Sequence, residues 1–438
     1  MQADSLHIIE YILGMVFANT ELLLLLLPML VLFELPLGLT ILVGIFRWSA
    51  QNVHSVPQAF PDISVVVTCY SEGRDIAITL DTLVEQLYPG NIEILAVVDG
   101  ASQNLLTYQT ALISMRLHSG QPRRTIRVIP KWQRGGRVST LNAGLAEAGG
   151  ELVINVDGDT SFDNDMVLRM LEQFGDPNLV ACGGALRVRN WRTNLLTRMQ
   201  AMEYMLSMQA GKTGLANIGV INNISGAFGA FRAPLLKQLG GWDTHTAEDL
   251  DLTIRLKQYK QRYPALRLGF TPHAVGHTDV PDTLKGLVAQ RLRWDGDLLF
   301  IFLRKHKKGL TPTLLGWKNF LFTLAYGVLQ NVLLPLLAVV FILYLLLAYP
   351  INFVGALMSV LYILYLLVCT LFFAVYLLLI SERSRDDFMM IKWLPLYPLY
   401  QFFMRLITAF AMINETVRRG HEESSMAPWW VLKRGNRF

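Results

Sequence analysis

Long apolar runs at both ends of this 438-residue chain constrain its fold more than any other feature of the sequence. One run covers residues 22–46, and two longer ones cover 320–348 and 352–380. A helix rises about 1.5 Å per residue, so roughly 20 apolar residues cross the hydrocarbon core of a bilayer. Residues 60–300 have instead the mixed polarity of a soluble domain. We therefore predict membrane segments on both sides of a middle domain.

This pattern divides the chain into four regions. Residues 1–52 are an N-terminal membrane anchor, and residues 53–300 are a middle domain with amphipathic interface helices. Residues 301–416 are C-terminal membrane or interfacial helices, and residues 417–438 are a basic tail. The anchor has one span, or two if the short apolar stretch 6–18 also crosses. We expect no cleaved signal peptide, because no Lys or Arg precedes Arg47 and the apolar region is too long.

The distribution of basic residues predicts how the chain is oriented in a membrane. The first 46 residues contain no Lys or Arg, whereas a basic cluster at residues 304–308 directly precedes the second apolar run. This predicts a multi-pass protein of the plasma or inner membrane with a cytosolic middle domain. A third apolar run, 393–413, contains two prolines and Arg405. Whether this run crosses or lies at the interface decides the side of the tail, and both topologies remain open.

Apolar strand patterns alternate with helical patterns through the first part of the middle domain. The strands are expected at 62–71, 92–100, 125–130 and 151–160, and the helices at 74–87, 103–117 and 138–147. Such alternation predicts the α/β class with a doubly wound, mostly parallel sheet. Ligands bind at the carboxyl ends of the strands in such sheets, so residues at those ends are candidates for function.

Aspartates stand at two of these strand ends. Asp99 closes the second strand, and Asp157 and Asp159 flank a glycine at the end of the fourth. An Asp-Gly pair alone is often only a surface turn. Two carboxylates after a buried strand also suit Mg²⁺ or Mn²⁺, hard cations that neutralise a diphosphate leaving group.

A second group of acids begins a predicted helix. Glu248, Asp249 and Asp251 fall within four residues, and helix capping explains only one of them. A carboxylate beyond those needed for capping can act as a general base that accepts a proton from a substrate hydroxyl, and Asp249 is our candidate.

A third motif lies on a predicted amphipathic helix just before the second apolar run. Gln290 and Arg293 are one helical turn apart and could grip a departing diphosphate, while Trp294 could stack on a sugar ring. An Arg/Trp pair at a membrane edge is the alternative interpretation. Lys131 and the loop Arg134–Arg137 could contact phosphates, or could be solvated loop charges.

Charge and cysteine usage exclude several other classes of protein. The net charge of +5 includes no basic stripe that would suggest nucleic acid, and it suits anionic lipids and a phosphate-bearing donor. The three cysteines are far apart and lack metal-ligand spacing, which is typical of free thiols in a reducing compartment.

In their order along the chain, these motifs resemble those of the membrane-bound family 2 glycosyltransferases, which include cellulose, chitin, hyaluronan and poly-N-acetylglucosamine synthases. The motifs are Asp99, Asp157-Gly158-Asp159, Ala247-Glu248-Asp249 and Gln290–Trp294. The stretch 280–294 is most similar to poly-N-acetylglucosamine synthases. The resemblance implies a GT-A-like fold and inverting transfer from a UDP-sugar to the growing non-reducing end of a β-linked polysaccharide. It also implies translocation of the polymer through the membrane bundle.

The resemblance also implies roles for individual residues. Asp249 is expected to be the general base, and Asp157 and Asp159 to hold Mg²⁺ or Mn²⁺. The residues expected to bind the donor are Glu72, Asp99, Lys131, Asp157, Gln290 and Arg293. The residues expected to bind the acceptor are Ser225, Gly226, Glu248 and Trp294. The chain departs from the usual pattern at Ser71, commonly Asn, at Ala247, commonly Thr, and at Arg137, commonly Lys.

Two other functions remain open. A non-processive enzyme that adds one sugar to a membrane lipid shares these motifs. A transferase-like scaffold or export component without activity is disfavoured, because every acid that the chemistry requires is present. The expected partners are the UDP-sugar, the polysaccharide, the bilayer and accessory export or regulatory subunits, without nucleic acid.

Overall fold

The computed structural model describes residue 14, residues 34–51 and residues 59–418. The short apolar stretch 6–18, except Gly14, and the first half of the anchor run lie outside the described residues. The tail from residue 419 onwards also lies outside them.

An eight-stranded mixed sheet forms the centre of the middle domain. Its strands are β1 (Ile63–Cys69), β2 (Ile92–Asp99), β3 (Arg124–Lys131), β4 (Leu152–Asp157), β5 (Ser161–Phe162), β6 (Leu179–Val188), β7 (Phe228–Arg232) and β8 (Arg267–Thr278). Their order in the sheet is β3-β2-β1-β4-β7-β6-β8-β5. The first four run parallel, as do β6 and β8, whereas β7 is antiparallel to both β4 and β6. The prediction of an α/β fold with a mostly parallel sheet is confirmed.

The strands β1, β2 and β4 of the parallel half are buried on both faces, which explains their apolar sequences. Every residue of β1 is buried, and Ile63 is in register with Ile92 of β2 and Leu152 of β4. Strands covered by helices on both faces are expected to consist of such continuous β-branched runs. The carboxyl ends of β2 and β4, with Asp99 and Asp157, therefore lie on the same edge of the sheet.

Helices cover both faces of this sheet and continue into the C-terminal region. The α-helices are α1 (Leu35–Ala50), α2 (Ile76–Val84), α3 (Leu105–Leu117), α4 (Arg137–Glu147), α5 (Met166–Phe174), α6 (Leu195–Glu203), α7 (Lys212–Ile218), α8 (Ala233–Gln238), α9 (Glu248–Arg262), α10 (Leu284–Phe300), α11 (Pro312–Phe322), α12 (Leu334–Ala348), α13 (Ile351–Val375), α14 (Ser384–Phe388) and α15 (Tyr397–Arg418). Segments of π-helix or 3₁₀-helix join several of them, at Tyr204–Gly211, Ile301–Lys305, Thr323–Leu333, Tyr376–Ile380 and Met389–Leu396.

Three of the resulting long helices have the length and composition needed to cross a membrane. They cover Pro312–Ala348, Ile351–Ile380 and Ser384–Arg418, and thus contain the three apolar runs of the C-terminal region. The shorter apolar helix α1 packs against α7 of the middle domain, where Gly44 and Gly214 bring the two backbones close together. Apolar helices therefore flank the sheet in sequence on both sides.

Candidate active site

The carboxylate of Asp99 organises the loop that follows β3. It is almost completely buried, and its Oδ1 accepts hydrogen bonds from Lys131 Nζ at 2.7 Å and from the Gly135 amide at 2.8 Å. Oδ2 accepts a hydrogen bond from the Gly136 amide at 2.8 Å. Two of the residues predicted to bind the donor, Asp99 and Lys131, thus contact each other. In this structure they fix the loop that begins α4.

Arg137, the first residue of α4, connects the predicted motifs with one another. Its guanidinium is ion-paired with Asp157 and donates through Nε to Glu248 Oε1 at 2.6 Å. Nη2 donates to the Gly226 carbonyl at 2.6 Å. The planar fork of an arginine can serve several acceptors at once, which the ammonium of a lysine cannot do with the same geometry. Arg137 therefore brings the metal motif, the acids of α9 and the predicted acceptor segment into one site.

Gly226 and Glu248 approach each other so closely that a larger residue at position 226 would displace the Glu248 carboxyl. A Cβ atom on residue 226 would lie 2.8 Å from Glu248 Oε1 and 3.5 Å from Arg137 Nη2. Glu248 is buried, and burial raises its pKa although the Arg137 charge opposes that effect. The charges of Asp157 and Glu248 outweigh the effect of burial and raise the pKa of the Arg137 guanidinium, which therefore stays charged. Neighbouring Ser225 uses its hydroxyl to accept a hydrogen bond from the Ala227 amide at 3.3 Å.

The side chain of Glu72 lies beside the metal motif, next to Gly158. Its carboxyl carbon would be 3.1 Å from a Cβ atom on that glycine. Glu72 Oε1 accepts a hydrogen bond from the Tyr70 amide at 2.7 Å, whereas the buried Oε2 has no hydrogen-bond partner. Burial raises the pKa of Glu72 to about 7, with smaller contributions from Asp159 and Asp157. Burial and then the Asp157 charge also raise the pKa of Asp159, whose side chain reaches the surface.

Within residues 34–51 and 59–418, no three His, Cys, Asp or Glu side chains are grouped as they are in a preformed metal site. The residues nevertheless fit a hard divalent cation. Asp157, Asp159 and the unpartnered Oε2 of Glu72 offer carboxylate oxygens, the ligand type that Mg²⁺ and Mn²⁺ prefer. Mg²⁺ sites commonly combine one or two carboxylates with water and substrate phosphates, so an all-protein cage is not required.

Asp249 is oriented by hydrogen bonds at the start of α9. Its Oδ2 accepts hydrogen bonds from Asn223 Nδ2 at 2.8 Å and from the Gly226 amide at 3.2 Å. Oδ1 accepts a hydrogen bond from the Leu250 amide at 2.7 Å. A carboxylate has about four lone-pair sites, so one remains for a substrate hydroxyl. Asp249 is only partly buried, and its charge opposes the burial that lowers the pKa of the Lys212 ammonium to about 8.

The helix α10 presents the third motif. Gln290 and Arg293 are half-buried, and neither side chain hydrogen-bonds to another described residue. The carboxyl of Asp297, whose pKa is raised to about 7 chiefly by burial, is influenced by the charges of both Arg293 and Glu248. Arg293 and Glu248, the first residue of α9, thus act electrostatically on the same carboxyl.

Arg291, inside the same motif, fixes the position of Trp294. Its guanidinium lies over the indole, 4.9 Å from the ring centroid, and donates to Glu203 Oε2 at 2.7 Å. The Tyr400 hydroxyl of α15 donates to the same oxygen at 2.7 Å. Trp294 is thus held by contacts that extend to the third long apolar helix.

The structure links most of the predicted site residues through direct contacts. Asp99, Lys131, Asp157, Gly226, Glu248 and Asp249 are joined through Arg137 and the loop before it, and Glu72 and Asp159 lie beside them. Gln290, Arg293 and Trp294 form a second group on α10, for which no direct contact with Asp99 or Asp159 is found among the described residues. The importance of Arg137 was missed from sequence, because its partners are between 20 and 111 residues away.

Comparisons with known proteins identify a family and relatives with similar sequences. Residues 64–240 match the family described as glycosyl transferase family 2. A poly-beta-1,6-N-acetyl-D-glucosamine synthase of Staphylococcus epidermidis is 31% identical over 243 residues, which are 55% of this chain and 56% of that protein. The enzyme of the same name from Staphylococcus aureus (strain COL) is 30% identical over 233 residues, 53% of each chain. The match thus spans about half the length of these curated relatives.

A solved glycosyltransferase structure has a similar fold. The mannosyltransferase PcManGT from Pyrobaculum calidifontis, solved with GDP-Man and Mn²⁺, has a TM-score of 0.52 and 19% identity. The alignment covers 87% of this chain and 99% of that one. At this identity the likeness concerns the fold, which is the mixed, mostly parallel sheet of GT-A glycosyltransferases. Residues 64–240 of this chain thus match glycosyl transferase family 2 in sequence, and the sheet that they help to form has the GT-A fold.

Proposed function

We propose that this chain transfers sugar units from a UDP-sugar to the non-reducing end of a β-linked polysaccharide, with inversion at the anomeric carbon. The proposed sugar is N-acetylglucosamine, in keeping with the names of the Staphylococcus relatives and with the motif at residues 280–294. The polymer is proposed to leave through the bundle formed by the long apolar helices. Accessory export or regulatory subunits are proposed as partners.

The observation that carries this proposal is the position of Arg137. One guanidinium contacts Asp157 of the metal motif, Glu248 beside the candidate base, and the Gly226 carbonyl. Residues that are far apart in sequence thus line one site at the carboxyl edge of the sheet, where α/β proteins bind ligands. A transferase-like scaffold without activity gives no reason for these acids to converge.

The proposed reaction begins with an acceptor hydroxyl placed against Asp249. As its oxygen forms a bond to the anomeric carbon, the bond from that carbon to the diphosphate breaks and UDP leaves. The hydroxyl proton passes to the Asp249 carboxylate, which Asn223 and the Gly226 amide hold in place. Attack from the face opposite the leaving group produces the inverted, β-linked product.

The leaving diphosphate requires neutralisation. A divalent cation held by Asp157 and Asp159, with Glu72 beside them, would supply charge stabilisation at the diphosphate. Arg293 and Gln290 carry donors that no described residue uses, and such donors can bind phosphate oxygens. Trp294 offers an indole face to the acceptor sugar, and Arg291 fixes its orientation.

The proposed membrane arrangement places the catalytic domain in the cytosol, where UDP-sugars are made. Contacts between α10 and α15, through Glu203 and Tyr400, connect the acceptor side of the site to the apolar helices. A product that enters the bundle there could remain as the next acceptor. A reporter fused near residue 120 should behave as cytosolic, and its export would contradict this orientation.

The decisive experiment incubates the purified full-length protein with a panel of UDP-sugars and Mg²⁺ or Mn²⁺, and measures UDP release and product mass. We expect turnover with UDP-N-acetylglucosamine and a polymeric product. Asp249→Asn should abolish UDP release while the donor still binds. Asp243→Asn, at an exposed carboxylate of the same segment, should retain activity.

Each part of the proposal has an outcome that contradicts it. Equal UDP release by Asp249→Asn and the parent would remove Asp249 as the base. A product limited to a mono- or disaccharide on a lipid would replace the polymer with a single-transfer activity. Absence of turnover with every UDP-sugar and both cations would contradict the proposed enzyme itself.

A further inference from the structure

A cluster of three lysines lies where the catalytic domain meets the first long apolar helix. Lys257 and Lys260 are three residues apart on α9 and therefore share one side of that helix. Lys318 belongs to α11, which packs against α9. Among the described residues, none of these three ammonium groups lies within ion-pair distance of a carboxylate. We call these residues the lysine cluster.

Lys257 is the most deeply buried member of the lysine cluster. Its side chain is only 4% exposed, and its Nζ lies 5.9 Å from the ring centroid of Phe322. Phe322 is the last residue of α11 and follows Lys318 by about one helical turn. Burial, and to a smaller extent the charge of Lys260, lowers the pKa of Lys257 to about 7. A buried ammonium without a counter-charge is costly, so such a residue calls for a partner.

The other two lysines add positive charge at the same place. The Lys318 ammonium donates to the carbonyl of Ile218 at the end of α7. Burial and then the charges of Lys318 and Arg267 lower the pKa of Lys260. Among the described residues, the charges that contribute most to the pKa shifts of Lys257 and Lys260 are thus those of other cations. The repulsion among these groups would be relieved by an anion from outside the described chain.

The position of the lysine cluster identifies the source of that anion. It lies at the start of the helix Pro312–Ala348, which is long and apolar enough to cross a membrane. Trp317, next to Lys318, is 68% exposed. Exposed tryptophans at the ends of membrane helices sit at the level of the lipid headgroups. Basic pockets at that level, on the side of the catalytic domain, bind the headgroups of anionic lipids.

We propose that the lysine cluster binds the phosphate of an anionic phospholipid headgroup, in the leaflet that faces the catalytic domain. The lipid would compensate the buried Lys257 charge and fasten α9, which begins with Glu248 and Asp249, to the first apolar helix. This inference rests on the proposed membrane insertion of the apolar helices. It does not depend on which sugar the site transfers.

The test measures lipid binding by the full-length protein in neutral detergent. Dioctanoyl phosphatidylglycerol is titrated against the zwitterionic dioctanoyl phosphatidylcholine, and native mass spectrometry gives the apparent Kd of each. We expect the parent protein to prefer phosphatidylglycerol. Loss of one lysine of the cluster should weaken that binding about fivefold, the effect of one basic group near an anionic lipid surface.

The variants separate the lysine cluster from general surface charge. Lys318→Gln removes an exposed lysine bonded to a backbone carbonyl, so its folding is not at risk. Lys237→Gln is the matched control, because Lys237 is also exposed and also donates to a backbone carbonyl, that of Ala148. Lys257→Gln tests the buried position, and Lys257→Arg should retain binding.

Three results would overturn the inference. The first is that Lys318→Gln and Lys257→Gln bind phosphatidylglycerol as tightly as the parent protein. The second is that the control Lys237→Gln loses as much affinity as the two cluster variants. The third is that inorganic phosphate displaces bound phosphatidylglycerol as effectively as an equal concentration of additional phosphatidylglycerol does, which would make free phosphate the ligand. UDP release, measured without added lipid, is recorded for every variant. Failure of lipid binding alone would leave the proposed transferase function in place.

Discussion

Replacement of Arg137 by methionine tests most directly whether the site is held together as described. The change keeps much of the side-chain volume and removes the guanidinium that pairs with Asp157 and Glu248. Glu248, which is 7% exposed, would then be a buried acid without its counter-charge. Removal of one partner from a buried ion pair typically costs about 3–5 kcal/mol.

That cost converts into a measurable change in thermal unfolding. For a domain of 150–250 residues, about 1 kcal/mol corresponds to roughly 2–4 °C, so the midpoint should fall by about 6–20 °C. The assay heats the parent and the variant at one scan rate in the same detergent without donor or metal, since the midpoint of an irreversible transition depends on the rate. A variant that unfolds within about 2 °C of the parent would refute the structural role of Arg137.

Two further variants separate the charge from the geometry. Arg137→Met combined with Glu248→Gln leaves no unpaired buried charge at Glu248, so the double variant should recover part of the loss and should not add a second one. Arg137→Lys keeps the positive charge but loses the fork, and should fall between the parent and Arg137→Met. Strictly additive effects in the double variant would mean that Arg137 and Glu248 do not stabilise each other.

Three other outcomes follow from the structure. Chelation by EDTA should abolish UDP release, and Mg²⁺ or Mn²⁺ should restore it; undiminished turnover after chelation would exclude a required metal. In the folded protein the Asp297 carboxyl stays protonated up to about pH 7, whereas in the unfolded chain it loses its proton near pH 4. The free energy of unfolding should therefore fall as the pH rises from about 4 to about 7, and it should fall less in Asp297→Asn. Unfolding midpoints measured at several pH values would test this. Gly44→Ala should lower the unfolding midpoint, because the new Cβ would overlap the Gly214 carbonyl oxygen. Gly38→Ala on the same helix should leave the midpoint unchanged, because the nearest atom to its new Cβ, in Phe372, is 3.6 Å away.

The first half of the sheet was predictable from sequence, and the second half was not. β1, β2 and β4 are apolar runs bounded by polar residues, so their local sequence pattern is sufficient to predict them as buried strands. β8 contains Pro272, and its register with β6 shifts between Gly184 and Ala185, as at a bulge. Such a strand lacks a clear local pattern and is specified by its partners in the sheet.

The same distinction applies to the site. Strand ends and helix starts are local features, so Asp99, Asp157 and Asp249 could be selected from sequence. Whether a loop arginine is solvated or buried depends on which distant acids meet it. For Arg137 those acids lie at the ends of β4 and at the start of α9, and only the assembled sheet brings them to it.

Asp99 positions Arg137 through the loop between them, and this affects how the properties of an Asp99 variant are interpreted. The Asp99 carboxylate holds the amides of Gly135 and Gly136, and Arg137 is the next residue. A loss of donor affinity in an Asp99 variant would therefore have two sources, a lost contact with the nucleoside and a displaced guanidinium at Asp157. Only the second source alters the unfolding midpoint in the absence of donor, because a contact with an absent ligand stabilises nothing. Stability without donor thus distinguishes the structural role of Asp99 from its proposed role in binding.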